Sequence, residues 1–468
     1  MARTGVRLAL LLVIPQLALA WGESRHSIDE VLIEHTLVDS SFVYCGCNTD
    51  WGSNTFGLFV FDRRNETWAN YGVGNGLMSN RIDGLRESGD RIAVEMQGWR
   101  AYFDRATGSL EVSKRVARKP WTMADTLRSG DVTYVVNMDT LIIDDGHLRR
   151  IFVPPTPPPL SATMATWSRS QSQFPFFHPV AWNGKVVFAY HVGDMEGYIA
   201  AGVGVFDLPS TTFSFYPSGI FKGVVTDCFV EGNSIILATA ERWYESNAEP
   251  ASGLIRFAPE TATFEPWTEL ALPPVPLAIL SVDEDDREYW IGTDKGVIRA
   301  DKSSGECRRY SPRTGVAARD GVNVHGSPGG VTGENYSPVF VGIAAGDTVR
   351  LRGVYNGWCE TDAPPRTYGY IRMAECVEEG FASDGIWSRT MRVSIRQDLR
   401  SPISVRAQPY SDSTVLADFY VGFLPTEPFK VAQSGVGRNH DWYSIRLPTA
   451  WVYGGLLVFV MEEVGWGF

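Results

Sequence analysis

The sequence predicts an all-β protein in which residues 27–312 form a six-bladed β-propeller and residues 320–376 and 401–460 form two small β-barrels. Three observations predict this fold. Short apolar runs of one kind recur at intervals of about forty to sixty residues, the spacing of propeller blades. A polar turn follows nearly every run, as in a meander of antiparallel strands. The recurrence stops after Pro312, where shorter strand-like segments begin.

The repeat is clearest between Tyr289 and Tyr310, which reads YWIGTDKGVIRADKSSGECRRY. Both faces of each apolar run are hydrophobic, which is typical of a sheet that packs against two neighbours. A seventh blade is expected only if Pro154–Pro179 contains an eroded one; its prolines favour an inserted loop instead. The six related runs are Gly57–Asp62, a run ending at Asp104, a run ending at Asp145, Gly202–Asp207, Gly253–Ala258 and Gly296–Asp301.

Two turn and strand features support these units. Polar hairpins follow the runs, and an aromatic residue often opens the next strand, at Trp68, Phe213 and Phe264. Gly292, within the WIGT motif, is predicted to lie where strands crowd toward the axis and a side chain would not fit.

The first twenty residues predict a secretory signal. Arg3 and Arg7 precede an apolar stretch that ends in the small residues Ala18-Leu19-Ala20. An uncleaved anchor is the alternative. No later stretch has the apolar length of a membrane span, so a secreted or periplasmic protein is expected. The formal net charge of −12 argues against nucleic acid and acidic lipid as partners.

Six cysteines in an oxidising compartment favour disulfide pairing. Cys359 and Cys376 are the predicted pair, since they bracket one compact segment. Cys45 and Cys47, separated by Gly46, are either a structural feature or a redox or metal site. The remaining two, Cys228 and Cys307, are expected as small buried hydrophobic residues in adjacent blades.

The repeat resembles the two-component regulator propeller family. The segments that carry the resemblance are LSVDEDDREYWIGTDKGVIRADKSSGECRRY and YGVGNGLMSNRIDGL. In that family such repeats build periplasmic sensor domains in front of membrane kinases. The resemblance therefore implies a blade architecture, and a sensor subunit that docks onto a separate kinase is one functional hypothesis.

The C-terminal third resembles bacterial SH3-like domains, twice, with residues 377–400 as a linker. Asn323, Pro328, Gly346-Asp347, Gly357-Trp358 and Gly369–Ile371 match the first copy, and Val405-Arg406, Pro409, Trp442 and Trp451-Val452 match the second. In the family such domains commonly bind cell-wall glycan or peptides. Aromatic faces would grip such a ligand. The candidate ligand-binding residues, for which a core role is the alternative, are Tyr355, Trp358, Tyr368, Trp442, Tyr443 and Trp451.

Motifs for catalysis are missing from the sequence. It contains no G-x-S-x-G elbow, H-E-x-x-H pair, Walker loop or complete EF-hand loop. Its seven histidines are scattered, so no metal site and no cofactor are predicted. The acidic run Asp283–Asp286 is interpreted as a solvated turn, with a calcium site as the alternative. Catalytic groups drawn from several blades would leave no local motif.

Two classes of function remain open on this basis. The first is a non-catalytic binding protein of the bacterial cell envelope, whose partner is an envelope protein, a peptide or cell-wall glycan. The alternative is a propeller hydrolase or lyase that its SH3-like domains deliver to an envelope polymer.

Overall fold

A computed structural model gives an all-β chain whose described residues fall into two compact units. One unit is Asp29–Asn48, Phe56–Pro312 and Val460–Phe468; the other is Met1–Ile28, Thr49–Thr55 and Arg313–Phe459. The predicted signal, residues 1–20, lies outside the described residues. These are 26–27, 31–47, 56–96, 98–111, 115, 125–137, 140–155, 176–194, 197–218, 224–240, 253–272, 277–320, 322–325, 339–355, 358–362, 368–372, 376–383, 389–395, 403–406, 415–419, 429–436, 442–446, 449–453 and 457–465.

The first unit is built from strands that follow one another as antiparallel meanders, with one 3-10 turn at Val73–Asn75. A two-residue strand, β1 (His26–Ser27), precedes them and belongs to the other unit. The strands are β2 Ile33–Val38, β3 Phe42–Cys47, β4 Leu58–Asp62, β5 Thr67–Tyr71, β6 Gly84–Ser88, β7 Arg91–Met96, β8 Trp99–Asp104, β9 Ser109–Glu111, β10 Asp125–Ser129, β11 Val132–Asn137, β12 Thr140–Asp144, β13 Arg149–Phe152, β14 Phe176–Trp182, β15 Lys185–Asp194, β16 Gly197–Asp207, β17 Thr212–Pro217, β18 Val224–Glu231, β19 Ser234–Ala240, β20 Leu254–Ala258, β21 Thr263–Pro266, β22 Ile279–Glu284, β23 Glu288–Thr293, β24 Gly296–Asp301 and β25 Cys307–Ala317.

These strands form a β-propeller arrangement, as the repeat predicts. Among the described residues, five separate four-stranded sheets are present: β2–β5, β6–β9, β10–β13, β14–β17 and β18–β21. The prediction of six or seven blades is therefore wrong, because five separate blades are present among the described residues. Strands β22–β25 make a sixth meander, but β25 is eleven residues long and continues into a larger sheet, so this meander is not a sheet of its own.

Packing on both faces of the blades is confirmed. In β19, Ile235 and Leu237 join the apolar cluster shared with the β14–β17 sheet, whereas Ile236 and Ala238 join the cluster shared with β22–β24. Successive residues of a strand point to opposite faces, so a middle strand serves two neighbours only if it is apolar throughout. Each large side chain buried this way contributes about 2–3 kcal/mol.

The first sheet packs against the last meander. Gly292 of β23 lies against β2, where an added Cβ would stand 2.3 Å from the carbonyl oxygen of Ile33. The prediction that Gly292 lies where strands crowd and a side chain would not fit is therefore confirmed. The Trp290 ring contacts Phe61 and Trp68 at centroid distances of 5.1 and 6.1 Å. This aromatic cluster joins chain segments more than two hundred residues apart in sequence.

The second unit contains two sheets that mix both predicted barrel segments. Its strands are β1, the end of β25, β26 Val322–His325, β27 Val339–Ile343, β28 Thr348–Tyr355, β29 Trp358–Asp362, β30 Tyr368–Arg372, β31 Cys376–Ser383, β32 Arg389–Ile395, β33 Ile403–Arg406, β34 Val415–Phe419, β35 Phe429–Val436, β36 Trp442–Arg446, β37 Thr449–Tyr453 and β38 Leu457–Val464, of which the last extends into the first unit.

The closing strands of the two segments are exchanged. Strand β37, from the second segment, pairs with β26 and β29 of the first. Strand β30, from the first segment, pairs with β33 and β36 of the second. The strand pairing therefore does not show two barrels that are each built from one stretch of sequence.

The predicted bridge between Cys359 and Cys376 is not formed. Cys359 is a free, buried thiol on β29, and burial raises its pKa above the ordinary value. Cys376 begins β31, which belongs to the other sheet of this unit. Because the two cysteines belong to different sheets, closeness in sequence does not pair them.

The propeller cysteines have structural positions. Cys45 and Cys47 are free, buried thiols on β3, and burial raises the pKa of both. Cys228 is buried in the apolar cluster of the β14–β17 and β18–β21 sheets, as expected of a small hydrophobic residue. Cys307 is half-buried against the neighbouring cluster.

Candidate functional site

The innermost strands of the propeller bring together polar side chains that the sequence had scattered. Four of these strands, β2, β14, β18 and β22, contain a register shift, at Ile33/His35, Phe177/Val180, Val225/Asp227 and Ile279/Ser281. A bulge adds one residue to a strand and redirects the side chains beside it. Polar residues near these shifts reach the backbone of a neighbouring blade.

The first such contact joins β18 to β22. The Thr226 hydroxyl donates to the carbonyl oxygen of Ile279 at 2.5 Å, and Oδ2 of Asp227 accepts a hydrogen bond from the Val282 amide at 2.7 Å. The consecutive residues Thr226 and Asp227 thus provide hydrogen-bond partners for one backbone carbonyl and one backbone amide of the next blade. Buried backbone groups need such partners, since leaving one unpaired costs about 1–3 kcal/mol.

The second contact joins β22 to β2 of the first sheet. Oδ2 of Asp283 accepts from the Val38 amide at 2.6 Å, and its Oδ1 accepts from the Glu284 amide at 2.9 Å. Burial raises the pKa of Asp283 to about 6, against the effect of these two donors and together with the charges of Asp227 and Glu284. The interpretation of Asp283 as part of a solvated turn is wrong, because it lies at the end of β22 against another blade.

The third contact joins β15 to β18. His191 is buried, and its Nε2 accepts a hydrogen bond from the Val225 amide at 3.1 Å. Burial, and next the nearby His178, lower the pKa of His191 to about 3. The neutral imidazole therefore persists at ordinary pH, which it must do to accept from an amide.

An ion cluster covers the same junction between the first sheet and the last meander. Glu288 is buried; its carboxylate accepts from Arg299 Nε at 2.8 Å and from Trp290 Nε1 at 3.2 Å. Arg63 of the first sheet lies 3.4 Å from Glu288 and pairs with Asp285 as well. The cluster ties the turn after β4 to β23 and β24 by charge.

The hydrogen bonds of these polar groups join neighbouring blades. Asp227, Asp283 and His191 each accept from a backbone amide, and Glu288 is saturated by cations and an indole. Within the described ranges, no group of three or more His, Cys, Asp or Glu side chains could hold a metal ion. Sequence reasoning missed these contacts. The signal available was an acidic residue inside each of two otherwise largely apolar inner strands, in VTDCF and SVDED.

Three of the six predicted aromatic residues meet on adjacent strands. Tyr355 and Trp358 are cross-strand partners at the end of the β28–β29 hairpin. Trp358 is in turn opposite Tyr453 of β37, and Trp451 of the same strand is opposite Glu360. Register partners have Cβ atoms about 4.5–5.5 Å apart, so these positions share one stretch of sheet. The exchange of β37 is what brings Trp451 there.

The other three lie in the second sheet of this unit. Tyr368 of β30 is opposite Arg446 of β36, while Trp442 and Tyr443 are opposite Arg372 and Ile371. Tyr368 and Trp442 are thus at opposite ends of one strand pair. The six residues therefore divide into two groups of three, and neither group corresponds to one predicted barrel.

A buried carboxylate beside the first group was not predicted. Glu360 of β29 is nearly inaccessible to solvent, as is its neighbour Thr361. Charged residues are seldom buried this fully. In sequence, the residue lies one position after Cys359 and carries no pattern of its own.

Comparison with known proteins gives distant similarity only. No family model matches the chain, and no curated protein matches it. Among solved structures, the extracellular domain described as one component system BT4673 from B. thetaiotaomicron has 11% identity and a TM-score of 0.33, over 80% of this chain and 45% of that one. The chain thus spans less than half of that structure.

Two further structures are similar to the same degree. The extracellular domain described as hybrid two component system BT4673 has 10% identity and a TM-score of 0.32, over 84% of this chain and 58% of that one. YjhT has 8% identity and a TM-score of 0.32, over 49% of this chain and 82% of that one. At these TM-scores the similarities carry no argument. Through the described residues, no helix combines the length and hydropathy needed to cross a bilayer.

Proposed function

We propose that this chain is a non-catalytic binding protein of the bacterial cell envelope, secreted or periplasmic, which holds an envelope protein, an extended peptide or a cell-wall glycan. The propeller offers one binding body and the C-terminal strands a second. The proposal includes two SH3-like domains, 320–376 and 401–460, joined by 377–400 and exchanging their closing strands.

The observation that supports this proposal most is the meeting of Tyr355, Trp358 and Trp451 on the adjacent strands β28, β29 and β37. Aromatic residues concentrated on one stretch of sheet suit sugar rings and extended peptides, because their faces add large contact area at a small entropic cost. The inner-strand carboxylates of the propeller support binding over hydrolysis, since Asp227 and Asp283 are engaged in joining blades.

Retention on envelope material tests the proposal. The purified chain is mixed with isolated cell-wall sacculi and, separately, with an envelope protein extract, and the bound fraction is measured by sedimentation and pull-down. Retention by one of them is expected. The double substitution Tyr355→Ala and Trp358→Ala should weaken it about tenfold, the loss expected for two aromatic contacts.

The control is Tyr102→Ala, which removes a half-buried tyrosine from a propeller strand and should leave retention unchanged. Equal retention of all three proteins, or retention of none by either material, would contradict the proposed function. Thermal unfolding of each variant separates lost binding from lost folding.

A further inference from the structure

The outer edge of the β10–β13 sheet has an unusual surface. Of the six large apolar residues found exposed in the described part of the chain, three are at this edge: Leu148, Ile151 and Val153, with 55%, 60% and 71% of their surfaces accessible. Arg149 and Arg150 beside them are exposed too. Apolar exposure concentrated on a few consecutive residues is a feature of interaction surfaces.

The other blades supply an internal comparison. Ile151 is opposite Ile142, three residues before Asp145, where the apolar repeat ends. The residues in the same register at the other outer edges that extend this far are Asn70, Phe215, Pro266 and Arg309, of which Pro266 alone is exposed.

Arg149, two residues earlier on the same strand, also differs from the other edges. It is opposite Asp144, where the other edges place the partly buried residues Trp68, Leu110, Phe213, Phe264 and Cys307. This edge therefore carries an exposed aliphatic side chain where three other edges are covered, and a cation where the others pack. The blade does not need this arrangement to fold, because five meanders of the same chain form without it.

The backbone of β13 is available for pairing. Strand β13 ends its sheet. The turn before it is closed by the Asp145 amide, which donates to the Leu148 carbonyl at 3.3 Å. By antiparallel alternation, Arg150 and Phe152 then bond to β12, while Arg149 and Ile151 turn their amide and carbonyl groups outward. Such an edge is a template for an added strand.

The positive charge of this edge indicates which kind of partner it binds. Among the described residues, no ion pair within 4 Å includes Arg149 or Arg150, and the charge of Arg150 acts on Asp145 in the preceding turn. A second copy pairing edge to edge would place like charges against each other, which is unfavourable. The chain's own connecting segment, residues 156–175, contains no Asp or Glu and cannot neutralise these arginines.

We propose that the exposed edge of β13, Arg149 to Val153, is a docking site for an extended segment of another protein that carries two acidic residues followed or preceded by alternating aliphatic ones. The segment adds a fifth strand to the sheet. Its carboxylates face Arg149 and Arg150, and its aliphatic side chains cover Ile151 and Val153. This site is separate from the aromatic residues of the proposed function, and the two can fail independently.

A designed peptide tests the proposal. Aligned with β13 in antiparallel register, the core Val-Thr-Val-Glu-Glu places valines opposite Val153 and Ile151 and glutamates opposite the two arginines. A fluorescein-labelled peptide with this core is titrated with the full chain and followed by anisotropy. Saturable binding is expected, weakening with salt because exposed charges are screened. The peptide Val-Thr-Val-Lys-Lys should not bind.

Variants locate the site. Ile151→Glu replaces the apolar side chain by a charged one and should weaken binding at least about tenfold, the loss expected for one buried aliphatic side chain. The double variant Arg149→Glu and Arg150→Glu should lose the acidic peptide and bind the lysine peptide instead. Met78→Ser, which removes an apolar residue 47% exposed elsewhere on the propeller, should bind as the parent does.

Four outcomes would overturn the proposal: absence of peptide binding, equal loss in Met78→Ser, self-association of the chain that Ile151→Glu abolishes, or binding of phosphatidylglycerol vesicles without binding of the peptide. If Ile151→Glu is poorly folded by circular dichroism, Ile151→Ser replaces it, because serine removes the apolar side chain without adding a charge. The inverted peptide preference of the double arginine variant is a result that loss of folding cannot produce.

Discussion

The Asp283 carboxylate, which joins β22 to β2 of the first sheet, is expected to make the stability of the protein depend on pH near neutrality. Its Oδ2 accepts from the Val38 amide across the junction, and burial raises its pKa from 3.8 to about 6. A raised carboxyl pKa means that the folded protein binds the proton more tightly than the unfolded chain. The stability that Asp283 contributes is therefore complete below pH 4 and is lost as pH rises through 6.

The magnitude follows from the shift. One pKa unit corresponds to about 1.4 kcal/mol, so the full window between pH 3 and pH 8 is worth about 3 kcal/mol, and the part between pH 5 and pH 8 about 1.5 kcal/mol. Asp283→Asn removes this titration but keeps one oxygen that can accept from Val38. The asparagine also loses one of two backbone hydrogen bonds, at a cost of about 1 kcal/mol that does not depend on pH.

Urea unfolding, followed by tryptophan fluorescence at pH 5 and pH 8, measures this difference. The free energy of unfolding of the parent relative to Asp283→Asn should fall by about 1.5 kcal/mol between pH 5 and pH 8. A constant difference, or one that grows with pH, would refute the reasoning.

The control carboxylate lies two residues away. Burial alone would raise the pKa of Asp285, but the amides of Arg287 and Glu288 and the charge of Arg63 lower it below its ordinary value. The contribution of Asp285 is thus present above its ordinary pKa and lost on acidification. Asp285→Asn should therefore leave the difference from the parent constant between pH 5 and pH 8 and change it, with the opposite sign, only below about pH 4, so a general response to charge removal cannot imitate the result.

Three further predictions concern the propeller. Gly292→Ala should cost at least about 2 kcal/mol in urea unfolding, because its Cβ meets a backbone oxygen, whereas Gly84→Ala, with no atom closer than 4.0 Å, should change stability by less than about 1 kcal/mol. The pKa of His191 is lowered to about 3, so the stability that its neutral imidazole contributes is lost as pH falls below 6.5. In the Asp283→Asn background, the protein should lose stability between pH 7 and pH 5, and His191→Gln should make that loss smaller by about 2 kcal/mol. Glu288→Gln should lower the free energy of unfolding by about 2–3 kcal/mol, because it removes the negative charge that faces two arginines. Because Glu288 is buried, 1 M salt should not destabilise the parent protein by the same amount.

Much of the fold could be predicted because it depends on the pattern of residues that are close in sequence. The repeated apolar run shows that each blade is covered on two faces, since residues such as Ile235 and Ile236 must both be buried. Gly292 was predictable for a similar reason, because a glycine inside an otherwise large-residue strand indicates close approach of another backbone. These features depend on a few neighbouring residues and on the two-residue period of a strand.

What decides the rest is partner choice between distant strands. The exchange of β30 and β37, the free thiol of Cys359 and the end of β25 in a larger sheet all depend on which edges meet, and one strand edge resembles another in sequence. The inner-strand residues show the same limit: Asp283 reads as part of an acidic turn until Val38, 245 residues away, is placed beside it.

By itself, the sequence determined that this is a chain of β-meanders with doubly buried strands, polar turns and a glycine at the crowded junction. Only the tertiary structure decided how many blades are separate sheets, which strands are exchanged, and which polar side chains join neighbouring blades. The physical reason is that side-chain alternation is a local property, whereas backbone pairing offers every strand the same donors and acceptors and leaves the selection of partners to packing over the whole molecule.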